Sequence, residues 1–216
     1  MEFTGLKDKY VSVSYAEGCS YGGNQSRSGS KVIAKCGCGV VAAADVFLYL
    51  RGRTSEPISA EEYNSYLKSL MPGYFQIIPP VGMNALTLCT GVNLYFRIHS
   101  MPYYARWGAS RQKFYSVMEG MLENDIPVIL AIGENFPLFW QKNRLDLYRR
   151  NADFSYTAVS STLAHFVTVT GMDGMWMRVS SWGKEYYINR NEFFRYVDDH
   201  SSRIISNILV IKVRRK

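Results

Sequence analysis

The sequence predicts an α+β chain folded as two lobes, one helical and one of antiparallel strands. Three observations carry this. Residues 26–125 hold most of the helix signals: apolar side chains at helical spacing, a capping box, and proline and glycine stops. Residues 126–213 hold short apolar or alternating runs separated by turn residues, the pattern of strands. No long linker, repeat or low-complexity tract divides the chain, and 216 residues suffice for one domain with a sizeable core. The expected organisation is one domain over 1–216, with 26–125 as the helical lobe and 1–25 plus 126–216 as the strand lobe.

Residues 10–15 alternate (Tyr-Val-Ser-Val-Ser-Tyr) and predict a strand that feeds the second lobe; residues 16–31, rich in Gly, Ser and Asn, predict a loop. The stretch from Lys35 to Leu50 predicts a glycine-punctuated turn and then a helix over 38–52. Asp45 is the one charge between Cys38 and Leu50, so that helix belongs in the middle of the domain, with Asp45 as a buried polar anchor. Ser59-Ala60-Glu61-Glu62 is a capping box opening a helix to Leu70, ended by Pro72-Gly73. Met83, Leu86, Cys89 and Val92 mark a third helix over 83–97. A fourth over 111–123, capped by Ser110, carries Phe114, Val117, Met118, Met121 and Leu122. Residues 127–132 read as a buried strand, while 138–158 show no clear period. Leu163 to Thr170 is a strand, Asp173-Gly174 a hairpin turn, and Met175 to Val179 the return. A strand at 186–188, a helix over 190–198 capped by Asn189, and a strand over 204–213 complete the chain.

The formal charge of +7 favours acidic partners, but the basic residues are scattered apart from the tail Lys212-Val213-Arg214-Arg215-Lys216. Without a basic stripe interleaved with aromatics, nucleic acid is not the expected partner. No run is long enough to span a membrane, and Met1 to Tyr10 has no apolar signal core. Cys19, Cys36, Cys38 and Cys89, in a long chain without a signal, read as reduced thiols of a cytoplasmic protein.

Cys38 begins a helix, where unpaired N–H groups and the helix dipole favour a thiolate. Of the three histidines, His99 and His200 sit among polar or surface-type residues, whereas His165 opens an apolar strand, where an imidazole needs a partner. His165 follows Cys38 by roughly 130 residues, and the returning strand ends at Ser180-Ser181-Trp182-Gly183. Cys36 is the alternative nucleophile. Cys36, Cys38 and one histidine are too few ligands for a structural zinc, and no glycine-rich phosphate loop is present; no cofactor is expected.

In this order these pieces resemble the papain-like cysteine peptidases, most closely the branch that includes the bacterial double-glycine leader peptidases. Gly37-Cys38-Gly39 is similar to the turn that opens the family's central helix, His165 to Gly171 to its histidine strand, and Ser181-Trp182-Gly183 to the Ser-Trp-Gly after its asparagine. The resemblance implies a two-lobed papain-like fold, with Cys38 as nucleophile and His165 as its imidazolium partner. It implies Ser180 as the residue orienting the histidine, where the family has Asn or Asp. Trp182 would shield that contact from water. The family's oxyanion glutamine precedes the cysteine by six residues, a position held here by Val32. Gln25, thirteen residues upstream, is the nearest glutamine that could serve. The implied activity is hydrolysis of a peptide or amide bond through a thioester on Cys38. Transfer of the acyl group to another amine, or a catalytically inactive binding protein on the same fold, are the alternatives.

Overall fold

A computed structural model describes residues 3–79, 82–133, 143–200 and 207–214. The chain is α+β with one large antiparallel sheet. β1 (Thr4–Gly5) pairs with the later histidine strand, so the N-terminus does join the large sheet. β2 (Val13–Tyr15) and β3 (Gly18–Cys19) instead form a small sheet with β4 (Ile58–Ser59) beside the helices. Between them and the central helix lie a 3-10 turn (Gln25–Arg27) and α1 (Lys31–Cys36). The loop expected over 16–31 is thus partly ordered, because Asn24 and Ser30 each cap a turn through their side chains.

α2 (Cys38–Leu50) is buried from Gly39 to Tyr49. Phe47 at its core stacks on Tyr95 at 3.7 Å. α3 (Ala60–Gly73) starts where the capping box places it, with the Ser59 hydroxyl accepting the Glu62 N–H. α4 (Ala85–Ile98) is capped by Asn84. β5 (Tyr103–Trp107) was not legible as a strand. It leaves the stretch assigned to the helical lobe and pairs antiparallel with residues 209–213 at the edge of the sheet. α5 (Phe114–Glu123) follows a 3-10 turn at Arg111–Lys113.

The second half is the sheet itself: β6 (Val128–Ile132), β7 (Leu145–Arg150), β8 (Tyr156–Thr162), β9 (His165–Met172), β10 (Trp176–Ser181), β11 (Lys184–Asn189), α6 (Arg190–His200) and β12 (Ile208–Val213). Its order is β5-β12-β6-β9-β10-β11-β7-β8. The start of the strand expected at 204–206 lies outside the described residues. At the β9–β10 hairpin the Asp173 carboxylate accepts the N–H groups of Met175 and Trp176. Central β9 packs against α2, and this contact brings the N-terminus of the buried helix to the first residue of the histidine strand. No helix among the described residues is long and apolar enough to cross a membrane.

Candidate active site

Cys36 ends α1 and Cys38 starts α2, with Gly37 as the only residue between them. The positive end of a helix dipole therefore meets Cys38 and the negative end meets Cys36, which favours Cys38 as the reactive sulfur. The Cys38 thiol also faces the backbone N–H groups of Phe166, Gly39 and Cys38 itself. Phe166 is the residue after His165, so the sulfur lies at the mouth of the histidine strand. Cys38, His165, Gln25, Ser181 and Trp182 line one narrow cleft, with room inside for about one water molecule (about 10 Å³).

The ionisation state differs from the thiolate expected from the helix position and from the imidazolium that the resemblance implies. Burial pushes the Cys38 thiol above its ordinary 9.0, outweighing the three N–H groups. Burial also lowers His165, 7% exposed, from 6.5 to about 4. At pH 7 both groups rest neutral, and among the described residues no hydrogen bond joins the two. His165 is buried and Cys38 half-buried, and for each the loss of water around the charged form outweighs what the helix terminus and its N–H groups return.

The partner of the imidazole is Ser181, not Ser180. His165 Nε2 and Ser181 Oγ are 2.8 Å apart. Ser180 sits across from Thr168 and donates its hydroxyl to the Tyr21 carbonyl at 2.8 Å. Successive strand side chains leave opposite faces, so only one of the two serines can reach the ring. The register shift between Arg178 and Val179 re-aims the end of β10, and no spacing count along the sequence reveals it. With Nε2 engaged by Ser181, Nδ1 is the ring nitrogen left to take a proton.

Val32, six residues before Cys38, lies on α1 with 40% exposure and contributes nothing polar. Gln25 lines the cleft, and its Nε2 donates to the Ala34 carbonyl at 3.1 Å. A primary amide carries two N–H bonds, so one remains for a ligand.

Trp182 stacks on His165, with ring centroids 4.4 Å apart and planes 18° apart. It does so from the left-handed region: φ is 48° at Trp182 and 73° at Gly183, the two-residue type I′ turn joining β10 to β11. Asn-Gly is the usual pair for that turn, and a bulky side chain there stores strain, on the order of 1–3 kcal/mol. The ring's packing on His165 is what that strain secures. Trp182→Asn should relax the turn and admit water, so His165, followed by its NMR imidazole shifts, should titrate well above pH 4 and toward 6.5. An unchanged titration would show that Trp182 does not shield the ring.

His99 is exposed, with its Nε2 3.1 Å from the Tyr74 hydroxyl, away from the cleft. No group of three or more His, Cys, Asp or Glu side chains able to hold a metal occurs among the described residues. No protein-family model and no curated protein sequence matches the chain.

Proposed function

We propose that this chain is a papain-like cysteine hydrolase acting on peptide or amide bonds, with Cys38 as nucleophile and His165 as general base and acid. One observation carries the reading: a cysteine at the N-terminus of the central helix shares a narrow cleft with a strand-opening histidine, whose far nitrogen is held by Ser181 and whose face is covered by Trp182. Because both groups rest neutral, the ion pair forms only as the substrate is attacked. Nδ1 of His165 takes the thiol proton while sulfur bonds to the carbonyl carbon. The oxyanion would accept the Cys38 N–H and the second N–H of Gln25. As the intermediate collapses, the C–N bond breaks and His165 returns its proton to the leaving amine, leaving a thioester on Cys38. A water molecule then gives a proton to His165 and adds to the thioester; the C–S bond breaks, the acid leaves, and His165 returns its proton to the Cys38 sulfur.

A second reading has a specific observation in its favour. The orienting group is a serine, which offers the imidazole no charge, and the resting pair is neutral. Both fit an inactive fold used for binding. A diverse peptide mixture separates the two. Incubated with wild-type protein and read by mass spectrometry for new termini, it should show cleavages that vanish with Cys38→Ala. No Cys38-dependent termini, and no acyl transfer to added amines, would leave the binding fold.

A further inference from the structure

Asp45 lies two turns along α2 from Cys38 and is 1% exposed, at the inner end of the same cleft. Both carboxylate oxygens accept the Gly23 N–H, at 2.9 and 3.2 Å. The Tyr63 hydroxyl donates to Oδ1 at 2.6 Å and the Tyr10 hydroxyl to Oδ2 at 3.4 Å. Gly23 is two residues before Gln25, so these bonds grip the loop that carries the proposed oxyanion donor.

The loop is built to reach that carboxylate. Gly22 has φ 76°, and a Cβ on it would overlap the Ser180 hydroxyl and Asp45. A Cβ on Gly23 would overlap the Tyr63 hydroxyl. The strand lobe holds the other side: Ser180 donates to the Tyr21 carbonyl, and the Tyr21 N–H to that of Gly183. Among the described residues no cation pairs with Asp45. A neutral amide of the same shape could hold the Gly23 N–H with less desolvation, so packing alone does not account for an ionisable group. A carboxylate is the stronger acceptor, by about twofold over a neutral one.

We propose that Asp45 is a positioning residue, which sets Gln25 at the oxyanion site by clamping the Gly22–Gly23 backbone to the central helix. This rests on the hydrolase reading above. Asp45 acts through Gln25 and does not touch substrate. The titratable groups in electrostatic reach of the carboxyl are phenols, Tyr10, Tyr15 and Tyr63, all raised by burial and neutral near pH 7; His165 and Cys38 lie further along the cleft. Burial raises Asp45 to about 7 while the Gly23 N–H works against that rise, so ionisation through neutrality strengthens the Gly23 bond itself, although the buried charge costs the fold stability over the same range.

The test is a cycle of Asp45→Asn, Gln25→Ala and the double variant, with a readout that needs no turnover. Asp45→Asn should lower kcat about tenfold at pH 8 with KM unchanged, and should erase the rise in kcat between pH 6 and 8. In the Gln25→Ala background the same substitution should change kcat less than twofold. Amide hydrogen exchange in residues 20–27 should be at least tenfold faster in Asp45→Asn than in wild type at pH 8. Equal kcat losses with and without Gln25, or equal exchange, would overturn the proposal. Faster exchange in a protein that turns over no peptide in any form would instead retain the clamp and reject the hydrolase.

Discussion

Cys38→Ala is expected to abolish the proposed hydrolysis, and His165→Ala to lower kcat/KM by about 10²- to 10⁴-fold, the span that a positioned general base supplies. The reason lies in the resting protonation state. A preformed thiolate would react without help, whereas a neutral thiol raised above 9.0 by burial needs a base at the moment of attack. That base is unprotonated at every pH above about 4. The part of the acid limb of kcat/KM that belongs to His165 is therefore expected near pH 4 rather than 6.5, and it is read in Asp45→Asn, where the separate rise between pH 6 and 8 is gone. Ultraviolet thiolate absorbance, taken as wild type minus Cys38→Ser, should be missing at pH 6–8 and develop only above pH 9. Thiolate absorbance already present at pH 6 would mean that an ion pair forms in the free protein, and the general-base assignment would be wrong.

Asp45→Asn and His165→Gln change the pH dependence of stability in opposite directions. His165 falls from 6.5 in the unfolded chain to about 4 in the folded one. Its neutral, buried form stabilises the fold fully above pH 6.5, and that contribution is lost as pH falls toward 4, by about 3 kcal/mol at roughly 1.4 kcal/mol for each pH unit. Asp45 rises from 3.8 to about 7. The folded state prefers its proton, so stability is lost as pH climbs from 3.8 through 7, by about 4 kcal/mol on the same scale. In the wild type these two slopes oppose each other between pH 4 and 6.5. Urea unfolding across pH 4–8 should show Asp45→Asn gaining on the wild type as pH rises, and His165→Gln gaining as pH falls. A difference independent of pH for either variant would contradict the burial of that group.

The helices were legible because their signals are local. The Ser59 capping box and the apolar run of α2 lie within one or two turns of what they specify, and the structure puts those helices where the pattern does. β5 and the ordered pieces of 16–31 were not, because their partners lie elsewhere: β5 is a strand by pairing with β12, a hundred residues on. The cleft divides in the same way. Cys38 and His165 stand out by residue type and by their place at the start of an element. Ser181 could not be separated from Ser180, since both are serines at adjacent positions and a register shift elsewhere in the hairpin decides which one faces the ring.

By itself the sequence determined an α+β chain, a buried central helix opened by Gly37-Cys38-Gly39, and a histidine strand leading to Ser-Trp-Gly, because periodicity, caps and turn residues act over short range. The tertiary structure alone decided the electrical state of the cleft and the partners within it. Depth from solvent is a property of the packed chain, and that depth keeps the Cys38–His165 pair neutral and sets the titration of Asp45, on which the proposed clamp depends.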